Sequence, residues 1–267
     1  MLASRPAVAR LAAKAAIFAA TSCVMATPAA AAQTSRLKIA LVPERLGQGT
    51  TIEFSIQIAK VGGGVPSPVT RIQLLYPKQV GIVTSGLGLA TCTEAVLEIL
   101  GGDGCPSRSL MGYGTAIAEV EVGGEVVRER ATTSIFMAPI AEGSINILFL
   151  VNGYSPLLAE LVFPGLLLPA YPPYGGDLSI KVPLLESFPE GPDVALVKVR
   201  STIGPLGITY YEHIHGRFIP YSPSGISLPP RCPYQGFPFK ATFDFADGTQ
   251  STSSERVPCP GGHRQGS

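Results

Sequence analysis

Side chains alternate in polarity with a period of two along most of this chain. That pattern restricts it to β-strands with one buried and one wet face. Residues 51–59 show it plainly, with Ile52, Phe54, Ile56 and Ile58 on one side and Glu53, Ser55 and Gln57 on the other. Phe237, Phe239, Ala241, Phe243 and Phe245 do the same against Lys240, Thr242 and Asp244. A slip of one residue there would turn four phenylalanines into water, so the register of this strand is firmly set. Further runs cover residues 37–42, 69–76, 114–122, 132–137, 145–152, 158–163, 178–182 and 194–199, each closed by Gly, Pro or a short polar cluster. Strands at this spacing form a sandwich or a barrel, and the expected fold is an all-β, antiparallel β-sandwich.

Two hairpins can be placed. Gly123-Gly124 separates 116–122 from a strand beginning at Val126, and two glycines can take the positive φ angles of a tight primed turn. Asp247-Gly248 reverses the phenylalanine strand into residues 249–257. One short helix is predicted, with Thr93 as cap, good helix formers from Ala95 to Leu100, and Gly101-Gly102 as the stop. The 30 Gly and 25 Pro among 267 residues argue against a mainly helical chain, and without a three-residue period they exclude collagen. A charged fraction of 15% and a hydrophobic fraction of 46% exclude a disordered polyelectrolyte.

Residues 1–32 read as a secretory signal peptide: Arg5, Arg10 and Lys14, an apolar stretch from Ala15 to Ala26, and a small-residue exit, with cleavage after Ala32 or Ala26. With those three of the 20 basic residues removed, 17 remain against 19 acids, which leaves no field for nucleic acid. No transmembrane segment is expected after cleavage, because Asn152, Pro156, Glu160 and Pro164 interrupt the most apolar stretch, 145–171. Cys23 falls in the leader, and as a lipidation site it lacks the Leu or Val expected three residues earlier. Cleavage leaves Cys92, Cys105, Cys232 and Cys259, an even set that fits export, and the pairing Cys92–Cys105 with Cys232–Cys259 brackets one structural unit each. The expected organisation is a leader at 1–32, one β-sandwich domain at 33–260 and a disordered tail at 261–267. Two lobes divided near 164–176 are the alternative.

Cys232-Pro233, Gly236-Phe237, the run from Phe239 to Phe245, Asp247-Gly248 and Pro258-Cys259-Pro260 together resemble the C-terminal part of a group of exported, uncharacterised actinobacterial β-rich proteins. Cys105-Pro106-Ser107-Arg108-Ser109 leading to Gly112-Tyr113-Gly114-Thr115-Ala116 resembles the same group. The resemblance implies an exported, disulfide-bonded β-fold and no activity, so it transfers no functional residues.

The chemistry-bearing patterns are few. There is no Gly-x-Ser-x-Gly elbow and no phosphate-binding Gly-x-x-x-x-Gly-Lys, and no cofactor is expected. His213 and His215 would project from one face of a strand about 7 Å apart, a start for a metal site; the alternative is a solvated face. His263, the remaining histidine, lies in the tail. Tyr171, Tyr174, Tyr210 and Tyr211 could stack sugar rings, although the chain has no Trp and tyrosine beside proline also serves turn packing. Residues 157–168 either line a groove for an acyl chain or are plain core. The functional expectation is a secreted or envelope-associated protein that binds an unknown envelope or extracellular ligand without catalysis. The alternative is a metal-dependent secreted enzyme using His213 and His215.

Overall fold

The computed structural model of the protein describes residues 33–81, 90–140, 144–156 and 158–260. The expected leader, 1–32, with Cys23, the residue Leu157, and the expected tail, 261–267, with His263 lie outside the described residues. The strands are β1 (Gln33–Val42), β2 (Gly49–Lys60), β3 (Val69–Pro77), β4 (Leu110–Val122), β5 (Glu125–Met137), β6 (Ile145–Ser155), β7 (Leu158–Pro169), β8 (Tyr174–Lys181), β9 (Ala195–Ile203), β10 (Tyr210–Ile214), β11 (Arg217–Tyr221), β12 (Ile226–Ser227), β13 (Phe237–Phe245) and β14 (Gln250–Val257). Each alternating run of the sequence falls on a strand to within one residue. The turn between β4 and β5 has φ of 62° at Gly123 and 85° at Gly124, as a primed turn requires.

The fold is all-β and antiparallel, with strands in the order β1-β2-β9-β4-β5-β6-β7-β8-β3-β13-β14 and β12 added to β2. Every neighbouring pair on that path is antiparallel, so its eleven strands leave β1 and β14 pointing the same way. Those two edges meet. Thr249 Oγ1 donates to Gln33 Oε1 at 2.6 Å, the Ser35 and Ser251 hydroxyls share a bond of 2.9 Å, and the Leu37 N–H donates to Ser253 Oγ at 2.9 Å, all at a constant offset of 216 residues. The seam is therefore parallel and is joined by short polar side chains. The two facing layers of the expected sandwich are halves of one curled sheet, which closes as a barrel.

One part of the barrel is solid. Phe237, Phe239 and Phe243 are fully buried among Leu37, Leu41, Ile52, Ile58 and Val257, inside β1, β2, β3, β13 and β14. Phe239 meets Phe54 edge-on at 6.1 Å between centroids. Each such side chain contributes about 1.5–3 kcal/mol by leaving water.

The one α-helix among the described residues, α1 (Glu94–Leu100), starts at Thr93, whose side chain accepts from the Val96 N–H, and ends at Gly101 with φ of 65°. Its Leu97 packs with Phe136, Leu148, Leu150 and Val162, the outward side chains of β5, β6 and β7. That cover explains why 145–151 is apolar almost throughout: Ile147, Phe149 and Val151 face the interior while Leu148 and Leu150 face the helix. Disulfides join Cys92 to Cys105 around α1 and Cys232 to Cys259 across the open end of the β13–β14 hairpin. Residues 164–176 belong to β7, β8 and the turn between them, and the two strands pair from Gly165 with Ile180 to Pro169 with Gly176.

Candidate functional site

A closed sheet of eight strands has an interior that side chains can just fill, and diameter grows with strand number. An eleven-strand ring therefore stays hollow wherever its inward side chains are small. Here they are small on adjacent strands: Ala116 and Ala118 on β4, Ala131 and Thr133 on β5, Gly153 on β6 and Ala159 on β7 all line one cavity of ≈ 310 Å³. That volume lies at the lower end of the ≈ 300–1,000 Å³ of small-molecule sites.

The remaining wall is greasy. Phe54, Ile72, Leu74, Phe149, Leu161, Phe163, Leu178 and Val199 line it from β2, β3, β6, β7, β8 and β9. Phe149 and Phe163 stack at 5.6 Å with 14° between their planes. These side chains are only partly buried although they point inward, because the space they face is empty of protein. Opposite Ala118, β9 skips a residue: Ala118 pairs with Leu196 and Ile117 with Lys198, and this bulge turns Leu196 into the cavity.

The two ends of the cavity differ. Its floor is packed by Met111, Ile135, Ile147 and Leu167, with Val80 from the segment after β3 and Ile226 from β12 closing it. Ile226 is held there by the pairing of β12 with the start of β2. At the other end the lining finishes in Glu129 and Arg130, its charged residues, and Arg130 is exposed. The wall reaches the surface there, which makes this end the mouth. Burial pushes the Tyr76 hydroxyl in the wall above its ordinary titration range, so it stays uncharged. Ser201 also lines the wall, and its Oγ is buried without a hydrogen-bond partner.

The connection between β8 and β9, residues 182–194, crosses the mouth end, since the two strands lie on opposite sides of the ring. Pro183, Leu185 and Val194 of this crossover line the cavity. It is tied to itself by Val194 N–H to Leu185 O at 2.8 Å and Ser187 N–H to Pro192 O at 3.1 Å. The mouth thus lies between the crossover on one side and the β4–β5 and β6–β7 hairpins on the other.

The residues singled out in the sequence fall in several places. Leu161, Phe163 and Leu167 of the apolar run 157–168 line the cavity, whereas Leu158, Leu166 and Leu168 face outward. His213 stands on β10 with its ring 5.0 Å from that of Phe218. His215 lies beyond β10 in the turn, with φ of 48°, so the two histidines do not share a regular strand face. Among the described residues no group of three or more His, Cys, Asp or Glu side chains is placed to hold a metal ion. Tyr171 is fully in solvent on the β7–β8 turn and Tyr174 opens β8, while Tyr210 and Tyr211 are on β10, a separate element. Burial, then the nearby Tyr113 and Tyr221, pushes the Tyr210 hydroxyl up to about 12. Tyr210 is half-buried, and its hydroxyl is covered without a hydrogen-bond partner. The small residues that open the cavity were missed in the sequence; their signal is a set of alternating strands whose inward positions are Ala, Gly and Thr, too small to fill a core.

The chain matches no protein-family model, no curated protein and no solved structure.

Proposed function

We propose that this chain is an exported, non-catalytic binding protein that holds one slender apolar chain, of the acyl class, inside its barrel. The observation that carries the reading is the cavity itself: a hollow with apolar walls, a packed floor and charge only at its mouth. Such a shape suits an amphiphile that enters tail first and leaves its polar end beside Glu129 and Arg130. If a methylene takes roughly the ≈ 30 Å³ of a liquid water, the space admits about ten of them, a single medium-length tail. Two disulfides favour an oxidising compartment, in line with the leader. No helix among the described residues is long and apolar enough to cross a membrane.

The test is displacement of a fluorescent apolar probe, 1-N-phenylnaphthylamine, by saturated fatty acids of increasing length. One probe site per chain is expected, with competition strongest at medium length. Ala118→Phe, which fills the hollow without touching the solid part of the barrel, is expected to weaken probe binding at least about tenfold with the fold retained. No site in the wild type, or equal binding by the folded variant, contradicts the reading.

A further inference from the structure

We propose that the mouth end of the barrel docks on a lipid bilayer of net-neutral headgroups and draws its ligand directly from it. The inference rests on the acyl-chain reading above and adds the source of the ligand. Three connections at this end hold apolar side chains in water. Val126 on the β4–β5 hairpin is 53% exposed, Tyr154 and Leu158 on the β6–β7 hairpin 51% and 88%, and Leu184 and Phe188 on the crossover 48% and 49%.

Their placement around the mouth is fixed by the chain. Tyr154 adjoins Gly153, Leu158 adjoins Ala159, and Leu184 lies between Pro183 and Leu185; all four neighbours line the cavity. The rim is therefore continuous with the wall, and a tail leaving a bilayer could pass into the cavity without meeting water. Other exposed apolar residues, such as Ile99 on α1, Tyr171 on the β7–β8 turn and Tyr234, sit on elements away from the mouth. A ligand with an apolar tail partitions into bilayers in preference to water, so a binding site for it gains from contact with that reservoir. Acids outnumber bases on these connections, with Glu125, Glu129, Glu186, Glu190 and Asp193 against Arg128 and Arg130. That excess opposes docking on an anionic surface, which leaves zwitterionic headgroups as the surface this end fits.

The experiment compares the wild type with Leu158→Asp/Phe188→Asp in flotation with phosphatidylcholine vesicles at low and high salt. It is joined to transfer of a fluorescent fatty acid from the same vesicles. Both proteins carry the same N-terminus, so any contribution of the leader is common to them. The wild type is expected to float at both salt concentrations and to take up the fatty acid at a rate that rises with vesicle concentration. The variant is expected to float at least tenfold less and to acquire fatty acid only at the vesicle-independent rate of spontaneous desorption, while still binding 1-N-phenylnaphthylamine in solution. A variant that floats and transfers like the wild type overturns the inference, as does a wild type that binds the soluble probe but floats only with acidic vesicles or not at all. If neither protein binds the soluble probe, the acyl-chain reading fails first and the docking inference falls with it.

Discussion

The Ser35 hydroxyl lies 2.9 Å from that of Ser251, and through this pair the first strand of the barrel meets the last. Because an odd ring of alternating strands must contain one parallel neighbour, β1 and β14 cannot continue the antiparallel ladder. Side chains take over the role of the backbone. Where the Leu37 N–H donates to Ser253 Oγ, Ser253→Ala removes the acceptor. The expected cost is about 0.5–1.5 kcal/mol in urea unfolding, with faster hydrogen exchange at the Leu37 amide. Unchanged protection of that amide would mean the seam is held otherwise.

At the same end of the seam, Asp247 accepts hydrogen bonds from Thr249 and from Gln33 Nε2, and these hold its carboxyl below the usual carboxylate range. A carboxyl whose pKa is depressed on folding stabilises the fold fully above its unfolded pKa, and loses that contribution as pH falls through the folded value. The stability difference between the wild type and Asp247→Asn is therefore expected to be largest near neutral pH and to shrink below about pH 4. The group is exposed, so the difference is small. A gap that widens on acidification contradicts the assignment.

Truncations in the solid and hollow parts of the barrel are expected to differ. Phe243, fully buried, costs about 3–5 kcal/mol on change to Ala. Phe163 already borders empty space, so Phe163→Ala enlarges an existing hollow and is expected to cost clearly less. Denaturant midpoints of the two variants decide it; equal losses would mean the hollow is packed in solution.

Unpaired Ser201 offers a test in the opposite direction. Its buried Oγ has no partner, so Ser201→Ala is expected to leave stability unchanged or raise it slightly, because no hydrogen bond is lost. A loss above about 1 kcal/mol would reveal a bond that this geometry does not contain.

The two disulfides are open to direct mapping. Peptides from the unreduced protein are expected to link Cys92 with Cys105 and Cys232 with Cys259. Cys232→Ser/Cys259→Ser is expected to lose about 3.6 kcal/mol by chain entropy. A peptide joining Cys92 to Cys232 contradicts the fold at both ends.

Most strands were legible because one wet face gives a period-two signature that no helix can imitate, and Phe237 to Phe245 is the clearest case. The cysteine pairs were legible because each brackets a local unit. The hollow was not, since whether Ala116 or Gly153 leaves a void depends on what stands across the barrel, and strand order is a long-range property. The run at 145–151 hid its inward and outward faces for a related reason: α1 covers the outside, so both faces are apolar. His213 and His215 do not share the strand face that their spacing predicts, because β10 ends at Ile214 and His215 lies in the turn.

The most direct measurement for the central claim is an isotope-filtered nuclear Overhauser experiment on the protein with a 13C-labelled saturated fatty acid. The account expects contacts from the terminal methyl of the chain to Met111, Ile147 and Leu167 at the floor, and from its carboxyl end to Ala131 and Ala159 near the mouth. Contacts confined to the outer face, at Tyr113 or Leu166, or none at all, would contradict it.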